Sequence, residues 1–114
     1  MKKQKVYISG KISGLKIEDA KANFAKAERV LNLVGYDTIN PMDSGLDEKY
    51  PWVMHMIVDV FNMLRCNKVY FLENYKESRG AKIEHRIAIF FRMRILYQRW
   101  NYMKQFNLST VKNL

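Results

Sequence analysis

Cysteine is nearly absent from this chain: Cys66 is the only one in 114 residues. That excludes an intramolecular disulfide and any metal site built on several thiolates, and leaves Cys66 as a small buried hydrophobe near a helix end. Histidine is almost as scarce, with His55 and His85 alone. No second ligand stands close to either in sequence, so neither a zinc or iron centre nor any other cofactor is expected. Two prolines and five glycines, with no repeat and no low-complexity stretch, argue against disorder and against a solenoid. No apolar run approaches the length of a bilayer span, and the apolar residues after Met1-Lys2-Lys3-Gln4-Lys5 are too few for a signal peptide. The expectation is a cytoplasmic protein with no membrane partner. Acids are also few, 11 against 20 lysines and arginines, for a net charge of +9, which implies acidic or phosphorylated partners without choosing between them.

What is present is enough apolar material, 48% of residues, for one domain with its own core. Lys5 to Ser9 reads as a strand through Val6, Tyr7 and Ile8, ended by Gly10. A loop with Ser13-Gly14 leads to a helix of about Ile17 to Val34, whose Phe24, Ala27, Val30, Leu31 and Val34 recur at helical spacing before the stop at Gly35. Tyr36 to Ile39 is a second short strand, closed by Asn40-Pro41. Pro51 opens a helix running to about Arg65, with Val53, Ile57, Val60, Phe61 and Leu64 as its apolar stripe. On the opposite face lie Trp52, His55, Asp59 and Asn62, a set that usually faces solvent. Lys68 to Leu72 is a third strand, and a polar loop precedes a helix of about Gly80 to Phe91. Arg94 to Tyr97 is a fourth strand. The alternation predicts an α/β fold: a doubly wound parallel sheet of four to five strands with helices on both faces, whose ligands bind beyond the carboxyl ends of the strands. Residues 1–97 form the body of the domain, and 98–114 a further strand or packing arm of it.

Glu84 stands out. It lies on what reads as the apolar side of its helix, near the stripe of Ile83, Ile87, Phe90 and Phe91, where a carboxylate is costly unless it is paired or used. A pairing with a neighbouring Lys or Arg and a chemical role are both open on this ground alone. The loop Tyr7-Ile8-Ser9-Gly10-Lys11-Ile12-Ser13-Gly14 offers backbone N–H groups, two hydroxyls and a lysine to an anion, yet it is neither a Walker loop nor a dinucleotide fingerprint, and a tight turn explains it as well.

Taken in order, Tyr7 to Leu15, Asn40-Pro41, the helix with Asp59, and Ser78-Arg79-Gly80-Ala81-Lys82-Ile83-Glu84 resemble the nucleoside 2-deoxyribosyltransferase-like superfamily, in particular its small bacterial and phage branch related to 2′-deoxynucleoside 5′-phosphate N-hydrolases. The resemblance covers about Lys5 to Tyr97. It implies a flavodoxin-like or Rossmann-like sheet and cleavage or transfer at the N-glycosidic bond of a nucleoside or nucleotide. It also implies Glu84 as nucleophile, Tyr7 as its orienting group, and Asp59 as a sugar contact or proton-transfer group. Serine at position 78 implies a phosphorylated ligand, with Ser9, Gly10, Ser78, Arg79 and Gly80 as its phosphate cradle. Relatives complete the site with a neighbouring subunit. A homodimer or larger homo-oligomer is expected here too, because Met54, Met56, Val58 and Met63 spread apolar surface around the Pro51 helix.

The chain departs from the pattern at Lys11, usually proline, and at Asn67, usually aspartate. The second departure removes a carboxylate and keeps open a non-catalytic protein that senses or sequesters a nucleotide. The arginines and aromatics beyond Tyr97 keep open nucleic-acid binding.

Overall fold

Strands and helices alternate without interruption in the computed structural model, which describes residues 3–43 and 49–98. Strand β1 is Lys5–Ser9, helix α1 Ile17–Val34, β2 Asp37–Ile39, α2 Trp52–Leu64, β3 Lys68–Phe71, α3 Arg79–Phe90 and β4 Arg94–Tyr97. All strand pairs are parallel and the order is β2-β1-β3-β4, so the described residues form a doubly wound α/β sheet of the flavodoxin and Rossmann type. The fifth strand or arm expected after Tyr97 lies, from residue 99 on, outside the described residues.

The two-residue period of β1 sorts the core. Val6 and Ile8 point to one face and pack with Phe24, Ala27 and Leu31 of α1, together with Leu72. Tyr7 points to the other face and joins Met63, Cys66, Val69, Phe71 and Ala88. The chain winds from β1 to β2 in one direction and from β2 over to β3 in the other. Right-handed crossovers then place α1 on one face and α2 and α3 on the opposite one. Gly35 ends α1 at φ 112° and donates its N–H to Leu31 and Asn32 carbonyls, a left-handed cap that glycine adopts without strain.

The register pairs Ser9 with Phe71 and Phe71 with Tyr97, so the carboxyl ends of β1, β3 and β4 lie level at one edge. At the other edge Asn67 donates its backbone N–H to the Lys5 carbonyl, and its side-chain Oδ1 accepts from the Lys5 N–H, both at 2.9 Å. Asn67 is therefore a clasp between the starts of β1 and β3. It stands at the opposite end of the strands from Ser9.

Two helix faces differ from the pattern expected of the sequence. In α2 the stripe of Val53, Ile57, Phe61 and Leu64 faces out, with Ile57 57% and Phe61 62% exposed, and only Met63 is fully buried. The supposedly solvated His55, Asp59 and Asn62 are half-buried instead. Apolar residues run around most of α2, so periodicity alone does not say which side the sheet covers. In α3 the inward residues are Ala81, Glu84 and Ala88, while Phe90 is 78% exposed and Phe91 is exposed as well. The alanines let α3 approach the sheet closely, and Glu84 lies between them. Among the described residues no helix is long and apolar enough to cross a membrane.

Candidate active site

The polar Glu73–Arg79 stretch holds one short 3-10 turn, Tyr75–Glu77, and ends at Ser78, whose Oγ accepts from the Ala81 N–H at 3.1 Å and caps α3. That cap fixes the direction in which α3 leaves the sheet edge. The first N–H groups of the helix, at Arg79 and Gly80, belong to the turn that finds no acceptor within the helix. One turn further on comes Glu84, only 5% exposed.

Among the described residues no lysine or arginine pairs with Glu84, which leaves the ion-pair explanation of its burial without a partner there. The hydroxyl of Ser9, itself buried, donates to Glu84 Oε1 at 2.9 Å across a sequence separation of 75. The second oxygen, Oε2, is buried and unpartnered, and so is the hydroxyl of Tyr7. The Tyr7 phenol lies close enough to Glu84 for each to act on the other's titration, and Asp59 of α2 acts on both. Four residues from three elements therefore converge: Tyr7 and Ser9 from β1, Asp59 from α2, and Glu84 from α3.

Burial raises the Glu84 carboxyl from 4.5 to about 7, with the Asp59 charge adding to the rise and the hydroxyls of Tyr7 and Ser9 opposing it. Asp59 is likewise raised by burial, from 3.8 to about 6, against the pull of His55. The Tyr7 phenol is pushed well above its usual value, first by burial and then by Glu84 and Asp59, and so stays a neutral donor. Two neighbouring carboxyls with raised affinities for protons are suited to nucleophilic or acid–base work near neutrality.

The remaining expected residues divide. Arg79 and Gly80 sit at the start of α3 beside Ser78. Gly10 follows Ser9, and a Cβ there would lie 2.5 Å from Leu72 Cδ1, so glycine is needed for close packing whatever else the loop does. Ser9, expected in the phosphate cradle, donates its hydroxyl to Glu84. Lys11, one of the two departures, donates its backbone N–H to Asn74 Oδ1 at 3.1 Å and places its ammonium 3.9 Å from Glu77, which ties the β1 loop to the β3 loop.

Residues 4–97 match DUF4406, a family described as a domain of unknown function. The chain belongs to that family. No curated protein and no solved structure matches it.

The DUF4406 domain also makes contacts at this edge that the sequence pattern did not single out. The Arg79 guanidinium stacks over the Trp52 ring at 4.8 Å, and a Cβ on Gly80 would meet Met56 Sδ at 3.0 Å and Trp52 Cζ2 at 3.9 Å. The opening turns of α2 and α3 thus touch. On the β4 side, the rings of Phe71, Tyr75, His85 and Tyr97 cluster, and His85 Nε2 lies 2.7 Å from Tyr97 Oη. Neither contact has a periodic signal, because each joins elements far apart in sequence. A polar cavity of about 170 Å³ opens on the α1 side between Asn23, Lys26, Glu73 and Gln98. It is separate from the carboxyl pair, and no group of acidic, histidine or cysteine side chains among the described residues has the arrangement of a metal site.

Proposed function

We propose that this DUF4406 protein is a nucleotide N-glycosidase or deoxyribosyltransferase that acts on a (deoxy)nucleoside 5′-phosphate through Glu84. The observation that carries the reading is a 5% exposed carboxylate with no cationic partner among the described residues, one oxygen held by Ser9 and the other unpartnered. A carboxylate buried this way destabilises the fold, which makes sense if its free oxygen has a task. In the fraction of molecules in which the one proton the pair shares sits on Asp59, Glu84 Oε2 attacks the anomeric carbon as the C1′–N bond breaks, and the bonding pair leaves with the base, which takes up that proton from Asp59. Water, or the N–H nitrogen of a second base, then attacks the same carbon, returns its proton to the Asp59 carboxylate, and releases Glu84 as carboxylate. Ser9 holds Oε1 so that Oε2 is the attacking atom, and Tyr7 supplies a neutral hydroxyl beside it. The resemblance to the nucleoside 2-deoxyribosyltransferase-like superfamily supports the same assignment. Phosphate goes to the start of α3, where Ser78 caps the helix and the Arg79 and Gly80 N–H groups and the Arg79 guanidinium suit an anion.

The active form is a homodimer or larger homo-oligomer, and the protein works in the cytoplasm. Support for assembly comes from the outward apolar face of α2, Val53, Ile57, Phe61 and Leu64, which is more apolar surface in one place than a monomer usually leaves in water.

The alternative, a binding-only protein, rests on Asn67 and on the altered first loop at Lys11. Asn67 clasps Lys5 at the edge of the sheet opposite Ser9, a position that supports the catalytic reading over the binding-only one. Incubation with a panel of nucleoside monophosphates decides the matter. Release of free base by the parent and not by Glu84→Ala is expected. Tight nucleotide binding with the ligand intact after long incubation would favour the sensor instead.

A further inference from the structure

Trp52 and Arg79 satisfy one another in a way that a ligand can replace. Trp52, the first residue of α2, is 41% exposed, and Arg79, the first residue of α3, is exposed too. The guanidinium lies over the indole at 4.8 Å, and no ion pair of Arg79 with an acid accompanies that stack among the described residues. An exposed stack of this kind is weaker than a charge-assisted bond to phosphate, so a phosphate at the start of α3 draws Arg79 off the ring. The indole then presents a flat, partly exposed face beside Gly80, where a Cβ would meet Trp52 Cζ2 in ordinary contact at 3.9 Å and press on Met56 Sδ at 3.0 Å. One turn below is the unpartnered, buried Oε2 of Glu84. A ligand that carries both an anion and a planar ring satisfies Arg79 and Trp52 together, whereas inorganic phosphate satisfies only the first and a free nucleoside only the second.

We propose that Trp52 is a ligand-contacting, specificity-determining residue of the Glu84 site: its indole is the stacking platform for the nucleobase, freed when Arg79 turns to the 5′-phosphate. The inference rests on the nucleotide reading of the site and adds the residue that distinguishes a nucleotide from a sugar phosphate. It also gives the exposed indole a purpose other than packing.

The test uses the full chain as a Glu84→Gln variant, so that ligands stay intact. Calorimetry measures the affinity of the four 2′-deoxynucleoside 5′-monophosphates and of 2-deoxyribose 5-phosphate. Base stacking on an aromatic side chain gives an expected loss of about 5- to 150-fold in nucleotide affinity for Trp52→Ala. Trp52→Phe recovers most of it, Trp52→Leu behaves like the alanine variant, and the affinity for 2-deoxyribose 5-phosphate stays within about twofold of the parent. Because the chain has one other tryptophan, Trp100, a Trp100→Phe background lets Trp52 emission report ligand directly, and nucleotide changes it saturably. Equal nucleotide affinity for the Trp52→Ala and parent proteins overturns the proposal and leaves the Glu84 reading intact. An equal loss for nucleotide and sugar phosphate also overturns it, because Trp52 would then act through Arg79 alone. If neither ligand binds and the Glu84-bearing parent releases no base, the nucleotide reading fails and this inference with it.

Discussion

Replacing Glu84 with glutamine should stabilise the protein, and increasingly so as the pH rises. The folded carboxyl titrates near 7 and the unfolded one near 4.5. Below the lower value both states carry the proton and burial has no electrostatic cost. Between the two values the unfolded chain ionises first, so the folded state loses stability with rising pH until Glu84 itself ionises. A raised carboxyl is thus a liability that is complete above about pH 7. Between pH 5 and pH 8.5 that amounts to about 2 to 3 kcal/mol, at 1.36 kcal/mol for each pH unit of displacement. For a domain of this size it corresponds to a relative shift of about 10 °C in Tm. Any constant cost of seating the glutamine amide cancels when the parent-to-variant difference is compared between the two pH values. Thermal unfolding of both proteins by circular dichroism at pH 5 and 8.5 measures it. A Tm difference that stays constant with pH would refute the claim that Glu84 is buried with no compensating charge.

Other perturbations separate the roles at the site. If Asp59 donates the proton, activity follows a bell with limbs near 6 and 7 that belong to the Asp59 and Glu84 pair together, and Asp59→Asn abolishes the limb at high pH. A single rise through about 7 would make Asp59 a sugar contact instead. Tyr7→Phe removes a buried hydroxyl that makes no well-formed hydrogen bond yet still favours the ionised Glu84, so calorimetric unfolding should show stability within ~1 kcal/mol of the parent while the rate of base release falls. Asn67→Ala loses one bond of its clasp on Lys5 and should lower stability by about 1 kcal/mol with kcat/KM unchanged. Loss of activity there would return Asn67 to the site. Ile57→Glu with Phe61→Glu should turn an oligomer into a monomer in analytical ultracentrifugation, and a parent that is monomeric at micromolar concentration contradicts the assembly.

The sequence was most legible where local chemistry decides structure. Strands β1 and β4 and helix α1 lie where β-branched runs, helical spacing and Gly35 place them, and their alternation is enough for the sheet type. Glu84 was legible as an anomaly for the same reason: a charged residue within an apolar pattern is a local fact. The faces of α2 and α3 were not. Both helices carry more apolar positions than the sheet covers, and the choice between them depends on partners distant in the chain. Small Ala81 and Ala88 go inward on α3, and Asp59 goes inward on α2 beside Tyr7 and Glu84. Ser9 was legible as a polar loop residue but not as the donor to Glu84, because a hydrogen bond spanning 75 positions leaves no periodic trace. Trp52 with Arg79 was hidden for the same reason, each being the first residue of a different helix.

The central claim is that Glu84 forms a bond to the sugar, and a nucleotide with a 2-fluorinated sugar tests it most directly by slowing release of the glycosyl-enzyme. Intact-protein and peptide mass spectrometry should find one sugar phosphate per chain, mapped to Glu84, and none on Glu84→Gln. Base release by the parent without an adduct, together with undiminished release by Glu84→Gln, would contradict the account.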